Sequence, residues 1–262
     1  MGQGPSQPKP GTKFRVIGAG MSRTGTKSFS EALTILLDAP VHDAGVESIG
    51  GPKHHRQNWM EVMRLAPNAK TSADDKKVDA LLHKLLDGYC ATVDVPANML
   101  TPELLRVYPD AVVIATTRDS ASWYRSLQRM TAMTTPTYVH IIVYWIPVFG
   151  DFRKHFLALQ KVFLWRLGTK DLALTDLQRH EDMIREWVPA EKLIWYEVRD
   201  GWGPLCKALN VPIPDRPFPH NNKPDDGVYY FRYFMIFGLS LWALVLGAVY
   251  LAGYMIWNQF FR

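Results

Sequence analysis

A glycine-rich stretch near the amino terminus has the composition of an anion-binding loop. Residues 16–33 read VIGAGMSRTGTKSFSEAL, in which Gly20 and Gly25 leave room for a tight turn. Backbone N–H groups at such a turn, and at the start of the helix that follows, favour a bound anion. Cationic and hydroxyl side chains can complete the cage. They are Ser22, Arg23, Thr24, Thr26, Lys27 and Ser28.

The spacing of this loop differs from that of nucleoside-triphosphate loops. In G-x-x-x-x-G-K-[ST] the lysine directly follows the second glycine, whereas here Thr26 stands between Gly25 and Lys27. The triphosphate loop works together with Mg²⁺ on the β- and γ-phosphates. The altered spacing favours a less highly charged anion, and no metal is expected to be required.

The segments around the loop alternate between predicted strands and predicted helices. Apolar runs predict strands at 13–17, 91–95, 111–116 and 193–198. Helical patterns occupy 75–88, 101–107 and 119–129. This alternation is typical of a parallel sheet covered by helices on both faces, so we predict an α/β three-layer fold with a central parallel sheet.

Charge and cysteine content exclude several classes of function. The formal net charge of +5 over 262 residues is modest and scattered, so no nucleic-acid partner is expected. Cys90 and Cys206 are far apart and have no zinc-type spacing, which excludes a disulfide framework and a cysteine metal site.

The end of the chain is apolar enough to enter a membrane. No charged residue occurs in 233–261, and a bilayer core needs about 20 apolar residues. A buried amphipathic core helix, the alternative, would need a polar stripe that this segment lacks. We therefore predict a transmembrane anchor at 229–260, with the bilayer contacting residues 233–257. The simplest topology is single-pass, with the preceding domain cytosolic and the span in an endomembrane.

Two further segments carry open predictions. Residues 1–12 are polar and rich in Pro and Gly, which predicts a flexible leader, and Gly2 matches a minimal acylation pattern. The apolar run 138–149 is too short to span a bilayer. It is either a core helix or a flap that faces a membrane or a lipophilic substrate.

Several motifs resemble those of sulfotransferases. SRTGTKS is similar to the family's 5′-phosphosulfate loop, commonly P-K-S-G-T-T, with Arg23 at the position of the loop lysine. TTRDSASWYRSL, at 116–127, resembles the second signature, in which a serine follows an arginine by eight residues, here Arg118 and Ser126. Blocks at 87–97 and 195–222 resemble a divergent branch with a P-R-T-G-T loop. The resemblance covers about residues 13–224.

The resemblance implies a P-loop-like domain at 13–225 and an enzyme that transfers a sulfuryl group. Its co-substrate would be 3′-phosphoadenosine 5′-phosphosulfate, with Arg118 and Ser126 on the 3′-phosphate and Arg23 assisting the leaving group. The acceptor would be a lipophilic hydroxyl compound, and a homodimer is left open. The remaining cofactor-binding residues would be Gly20, Ser22, Thr24, Gly25, Thr26, Lys27 and Ser28.

The acceptor hydroxyl must lose a proton, and two residues are candidates for the base. Asp94 follows a predicted strand at the end where open α/β sheets bind ligands, although it can equally cap the turn before Pro96. His42 follows the short run 39–41, although a lone histidine is often structural. The block 220–223 either closes over the nucleotide or is a solvated linker.

Two other functions fit the same residues. A cationic loop of this kind can ionise a prenyl diphosphate, which would make the protein a lyase or terpene cyclase. A non-catalytic nucleotide-binding membrane adaptor is the third hypothesis. The pair Arg118 and Ser126 discriminates between them, because a 3′-phosphate site has no use in a diphosphate lyase.

Overall fold

The structure, a computed structural model, describes residues 5–147, 149–220 and 224–261. Within these residues five strands form one parallel sheet in the order β2-β3-β1-β4-β5. Val16 in the central strand pairs with Ala91 on one side and with Val112 on the other. The strands are β1 (Val16–Gly18), β2 (Val41–Asp43), β3 (Ala91–Val93), β4 (Val112–Thr117) and β5 (Leu193–Glu197).

Helices connect the strands and extend beyond the sheet. They are α1 (Thr26–Leu37), α2 (Ala44–Gly50), α3 (Lys53–Leu65), α4 (Ser72–Leu86), α5 (Thr101–Val107), α6 (Ser120–Thr134), α7 (Thr137–Ile142), α8 (Phe152–Leu167), α9 (Asp176–Trp187), α10 (Trp202–Leu209) and α11 (Pro224–Phe261).

Neighbouring strand residues enter different hydrophobic cores. Ile17 and Val113 pack on one face of the sheet with side chains of α3, α4, α5 and α9, whereas Val16 and Ile114 pack on the other face with α1 and α10. This follows from the two-residue repeat of a strand. A sheet with helices on both faces is the three-layer α/β fold predicted from the sequence.

The observed element boundaries differ from the predicted ones by a few residues. The helix predicted at 101–107 is α5 itself, Thr101–Val107. The strand predicted at 91–95 ends at Val93, because Asp94 turns the chain into the left-handed region with φ 69°. Strand β2 was not predicted, because Val41 is its one aliphatic residue and is followed by His42 and Asp43.

The described part of the leader is attached to the domain. Ser6 Oγ donates to the carbonyl of Val41 at 2.6 Å, and the backbone N–H of Lys9 donates to the carbonyl of Gly88 at 2.9 Å. Tyr89 donates its hydroxyl to the carbonyl of Ser6. These bonds hold residues 6–9 beside β2 and β3, where a flexible leader was expected. The candidate acylation site Gly2 lies outside the described residues.

The last helix contains a stretch that could cross a membrane. Within Phe231–Phe260 an 18-residue stretch has a mean hydropathy of 2.2 and lies almost entirely on the surface of the protein. Such a length and composition satisfy the requirement for a single transmembrane pass. A helix of this kind at the end of the chain agrees with the predicted anchor.

The apolar run before α8 is buried on one side and exposed on the other. It forms α7 and a short 3-10 turn at Val143–Trp145. Val139 and Val143 are buried, whereas Tyr138 and Tyr144 on the other side are more than half exposed. One side therefore belongs to a small core and the other forms an apolar surface. Val148 lies outside the described residues.

Candidate active site

The predicted anion-binding residues meet at the carboxyl edge of the sheet. The loop 19–25 leaves the end of β1, Asp94 follows β3, and Arg118 follows β4. Because all strands are parallel, their carboxyl ends share one edge, where open α/β sheets bind ligands. Residues far apart in the sequence are thus brought to one place by the strand order.

Buried donors fix the carbonyl groups of the loop. Asn98 Nδ2 donates to the carbonyl of Gly20 at 3.0 Å, and Trp123 Nε1 donates to that of Ser22 at 2.9 Å. His180 Nε2 donates to the carbonyl of Ala19 at 2.8 Å. A trans peptide points its N–H away from its C=O, so carbonyls held inward leave N–H groups for a ligand.

Both loop glycines are required by the packing. A Cβ at position 20 would lie 2.0 Å from Thr116 Oγ1 and 2.5 Å from the Thr116 carbonyl oxygen. Gly25 has a φ of 102°, and a Cβ there would lie 2.4 Å from a methyl group of Val198. Strand β4 and Val198, the residue that follows β5, therefore lie so close to the loop that only glycine fits at these two positions.

The amino terminus of α1 is open to an anion. Gly25 is its N-cap, and no described side chain caps the helix. The first N–H groups of an α-helix have no partner within the helix, and the helix dipole adds about half a positive charge there. Thr26 and Ser28 are buried in the first turn of α1, and Lys27 between them is half-buried.

The two predicted anion clusters touch each other. Arg23 Nε donates to Ser126 Oγ at 3.1 Å, and Arg118 Nη1 donates to the carbonyl of Arg23 at 2.9 Å. Arg23 has a φ of 75°, which turns its side chain out of the loop towards α6. Burial lowers the pKa of Arg23; the charge of Asp94 opposes this and that of Arg118 adds to it. A bound anion would stabilise both guanidinium groups.

Asp94 organises the loop. Its carboxylate accepts hydrogen bonds from the hydroxyl of Ser22 and, at 2.9 Å, from Thr26 Oγ1. It also accepts the backbone N–H of Val95 at 2.7 Å. Both carboxylate oxygens are therefore occupied, one on each side of the glycine turn. This geometry connects β3 to the loop and to α1, and it suits a positioning residue better than a free base.

A second carboxylate at this edge was not among the predicted site residues. A Cβ at Gly45 would lie 3.4 Å from Asp43 Oδ1 and 3.4 Å from Asp94 Oδ2, so the two carboxylates face each other across this glycine. Burial raises the pKa of Asp43 to about 7, and the charge of Asp94 adds to the shift, while the Val46 N–H and Lys27 act against it. Asp43 also lines a cavity of about 500 Å³ between α1 and α2.

His42 lies away from the loop. Its ring has no exposed surface and packs against Trp59 and Tyr89, and neither ring nitrogen has a hydrogen-bond partner among the described residues. Burial lowers its pKa to about 3, and His55 adds to the shift. A buried, neutral imidazole cannot reach an acceptor in this conformation, so the geometry favours Asp43 over His42.

His42 also belongs to a buried polar cluster. Its donor atoms and those of Glu47 and His55 lie within 4.8 Å of one another. His55 Nδ1 lies 3.2 Å from Glu47 Oε2. Ligands of one zinc ion bound at about 2.1 Å are at most about 4.2 Å apart, so the side chains would have to move to close around an ion. As arranged, they form a polar core beneath β2.

The block at 220–223 is described only in part. His220 is exposed, and its ring lies edge to face with that of Phe218, which packs against Trp202 at the start of α10. Asn221, Asn222 and Lys223 lie outside the described residues.

Comparison with known proteins agrees with this geometry. The family profile described as "Sulfotransferase domain" matches residues 15–226, most of the chain. The chain belongs to the sulfotransferase domain family. It is 28% identical over 226 residues to Ava biosynthesis cluster protein M of Aspergillus versicolor, and the match covers 82% of this chain and 83% of that protein. The chain is therefore a transferase of the sulfotransferase type.

Membership of the sulfotransferase family explains why the loop departs from the triphosphate pattern. A sulfotransferase transfers a sulfuryl group, which carries fewer charges than the β- and γ-phosphates of a triphosphate and so needs fewer donors around it. The loop, the open end of α1 and the two arginines provide such donors within one region of the sheet edge.

Proposed function

We propose that this sulfotransferase moves a sulfuryl group from 3′-phosphoadenosine 5′-phosphosulfate to the hydroxyl of a lipophilic acceptor at a membrane. The observation that carries the proposal is the contact between the glycine loop and the pair Arg118 and Ser126. Two adjacent anion-binding clusters suit a donor that is anionic at both its 5′ and its 3′ positions.

In this proposal the loop binds the 5′-phosphosulfate. The residues that surround it are Gly20, Ser22, Arg23, Thr24, Gly25, Thr26, Lys27 and Ser28. Arg118 and Ser126 bind the 3′-phosphate, for which Ser126 must exchange its bond to Arg23 for one to the nucleotide. Release of Arg23 would then leave its guanidinium free to bind the leaving phosphate.

The proposed reaction needs one base and one stabilised leaving group. The acceptor oxygen gives its proton to Asp43 and forms a bond to sulfur, while the bond from sulfur to the bridging oxygen of the donor breaks. The electron pair stays on the 5′-phosphate of adenosine 3′,5′-bisphosphate, where Arg23 and Lys27 stabilise the negative charge. The sulfated acceptor and the bisphosphate are the products.

Asp43 is proposed as the base because it lies close to Asp94 at the edge that carries the loop, lines a cavity, and has a pKa raised by burial. A general base works best when its pKa is near the operating pH, and a value of about 7 meets this condition. Asp94 accepts three hydrogen bonds and is assigned a positioning role instead. Its charge also helps to keep the pKa of Asp43 high.

A membrane location supports a lipophilic acceptor. Helix α11 would anchor the chain in an endomembrane with the domain on the cytosolic side. An acceptor that partitions into lipid, such as an alcohol or phenol with an apolar body, is concentrated where the enzyme is held. This choice of acceptor class rests on the anchor and on the apolar surface near α7.

Binding of adenosine 3′,5′-bisphosphate to the full chain in detergent micelles tests the donor assignment. We expect Arg118→Ala to weaken binding by at least about tenfold in calorimetry, since a charged hydrogen bond is worth about 1.5–3 kcal/mol. Arg125→Ala is the matched control, because Arg125 is exposed on α6 and bonds to Ser122. Equal affinity of the Arg118 variant and the parent would exclude the proposed 3′-phosphate site.

The proximity of the Arg23 guanidinium to Arg118 also suits a diphosphate, so a lyase that acts on prenyl diphosphates is the second candidate. A ligand that binds only the folded state raises the melting temperature. We expect the bisphosphate to stabilise the chain more than prenyl diphosphates or ATP with Mg²⁺. The reverse order would favour the lyase, and bisphosphate binding without sulfuryl transfer would favour a membrane adaptor.

A further inference from the structure

The segment 137–147, which we name the apolar seat, presents hydrophobic side chains on two opposite sides. Its inner side is buried and consists of Val139, Val143 and Ile146. Its outer side consists of Tyr138, Ile141, Tyr144 and Trp145, whose exposed fractions lie between 43% and 56%. The segment contains no Asp, Glu, Lys or Arg. Exposed apolar surfaces of this kind are uncommon in water and usually mark a site that contacts a membrane or another molecule.

The inner side of the apolar seat packs against the first turns of the apolar stretch of α11. Phe231, Phe234, Met235 and Leu241 join its core. Phe149 just beyond the seat meets Phe234 ring to ring, with centroids 4.8 Å apart.

Two contacts fix how far along α11 this docking reaches. Trp242 Nε1 donates to the carbonyl of Ile141 at 2.8 Å, and its ring lies 5.7 Å from that of Trp145. At Gly238 a Cβ would lie 2.4 Å from the carbonyl oxygen of Ile142, so the two backbones approach closely where α11 has no side chain. The docked part of α11 therefore extends from Phe231 to Trp242.

The length of the helix agrees with this division. Residues Phe231–Phe260 form about 45 Å of helix at 1.5 Å per residue, whereas a bilayer core is about 30 Å thick. The docked residues 231–242 account for about 18 Å of helix. The remaining residues 243–260 account for about 27 Å, close to one bilayer thickness.

We propose that the apolar seat rests in the interfacial layer of the membrane and that only residues 243–260 of α11 cross the hydrocarbon core. This inference rests on the membrane anchor of the proposed function, and it specifies which residues of that helix cross the bilayer. Residues 231–242 of α11, although apolar, then lie outside the hydrocarbon core and hold the domain at the surface of the bilayer.

The chemistry of the outer side fits lipid at this depth. Tyr and Trp side chains favour the boundary between headgroups and acyl chains, where the ring is in lipid and the polar atom is hydrated. Tyr138, Tyr144 and Trp145 supply three such rings, and Ile141 between them supplies an aliphatic side chain. Arg153 near the start of α8 and Arg232 near the start of the apolar stretch of α11 are exposed cations of the kind that pair with lipid phosphates.

The seat also connects the membrane to the candidate active site. Helix α6 carries Ser126 and ends at Thr134, three residues before α7 begins. A domain held in this way keeps the sheet edge near the bilayer surface, so that a lipophilic acceptor has a short path out of the lipid. The proposed partner of the seat is the lipid itself, not a second protein.

A fluorescent label whose emission reports a nonpolar environment tests the proposal in the full chain reconstituted into phosphatidylcholine vesicles. Three single-cysteine variants, made with Cys90 and Cys206 replaced by serine, carry the label. Ile141→Cys probes the seat, Met255→Cys probes the span, and Lys170→Cys probes an exposed loop at the other end of α8, about 24 Å along that helix. Lipids with a quencher near the headgroup or deep in the chain report depth.

We expect the label at position 255 to be quenched by deep quenchers, that at 141 by shallow quenchers, and that at 170 by neither. If the label at position 255 is quenched but the label at 141 behaves like that at 170, the apolar seat does not lie in the interfacial layer, although α11 still inserts into the membrane. If position 255 is not quenched, the anchor itself is wrong and the seat fails with it.

Two glycine substitutions give a second measurement on the same labelled protein. Gly238→Leu adds a side chain where the carbonyl of Ile142 lies, and we expect it to displace the seat and to reduce shallow quenching at position 141 by at least about half. Gly247→Leu is the matched control, because no described atom lies within 4 Å of a Cβ there. Equal quenching in both variants would show that α11 does not hold the seat.

Discussion

The side chain of Arg23 reaches Ser126, one hundred and three residues away in the sequence, through a hydrogen bond of 3.1 Å from Nε to Oγ. Both residues belong to the proposed donor site, the one at the phosphosulfate and the other at the 3′-phosphate. In the structure the loop arginine binds the serine that is assigned to the other cluster. Donor binding must therefore break this bond before Arg23 can reach the leaving group.

This relationship predicts different kinetic effects at its two ends. We expect Arg23→Ala to lower kcat by about 100-fold or more, since a lost donor to a developing charge costs that much in comparable sites. Ser126→Ala removes a contact to the 3′-phosphate that is made equally in the ground state and the transition state, so it should raise KM for the donor with little change in kcat. Steady-state sulfuryl-transfer assays at varied donor concentration measure both values. Similar losses of kcat in the two variants would contradict the assigned roles.

The pKa of Asp43 predicts the pH dependence of turnover. A base must be ionised to accept a proton, so kcat should rise with pH up to about 7 and level off above it. Asp43→Asn should lower kcat by at least about 100-fold and remove this rise. A variant that keeps the parent pH profile would exclude Asp43 as the base.

The same residue predicts how stability depends on pH. Asp43 binds its proton more tightly in the folded protein than in the unfolded chain, where its pKa is about 4. Its contribution to the free energy of unfolding is therefore complete below about pH 4 and is lost as the pH rises to about 7. We expect Asp43→Asn to raise Tm relative to the parent at pH 8 more than at pH 4. A Tm difference that does not change with pH would contradict the shifted pKa.

Substitution of His42 should lower the stability of the protein without changing the pH dependence of turnover. Its ring fills a fully enclosed space beside Trp59 and Tyr89, so His42→Ala should lower the free energy of unfolding by about 2–4 kcal/mol through the cavity it leaves. The folded fraction should keep the parent pH profile. Chemical denaturation and kinetics of the same preparation separate the two effects, and loss of the pH-dependent rise would restore His42 as the base.

The contact between Gly20 and Thr116 predicts a large effect of a single methyl group. Gly20→Ala should lower the free energy of unfolding by about 2 kcal/mol or more, because its Cβ overlaps atoms of β4. Gly203→Ala is the control, since no described atom lies within 4 Å of a Cβ at this exposed position of α10, and alanine favours a helix. Equal stability of the two variants would mean that the loop does not press against β4.

The sequence proposed candidate site residues that local patterns encode, and the structure brings them together at one edge of the sheet. The glycine loop, with Arg23, and the pair Arg118 and Ser126 lie in short motifs whose spacing is fixed by a strand end and one or two helical turns. Asp43 was missed because its importance depends on neighbours that the sheet brings together, Asp94 from β3 and Lys27 from α1. The end of a strand is a place to expect ligand-binding residues, but β2 has Val41 as its one aliphatic residue, and that pattern is too weak to indicate a strand.

The apolar seat shows the same limit on a larger scale. Its residues allowed either a core helix or a flap, because hydrophobic spacing does not reveal what will cover each side. The partner of its inner side is α11, about ninety residues later in the chain. Only the folded protein shows that an apolar helix predicted as a simple span also contributes its first three turns to the domain.

The attachment of Ser6 and Lys9 has a practical consequence for anyone who shortens this protein. Ser6 not only binds the Val41 carbonyl but also lines the cavity that Asp43 faces. A chain trimmed to begin at Val16 would lose the part of the cavity wall that Ser6 forms. It would also lose the segment that is hydrogen-bonded to the edge strand β2. The sheet could stay folded while the cavity beside Asp43 opened to water. A trimmed protein without activity would therefore not show that the full-length protein is inactive.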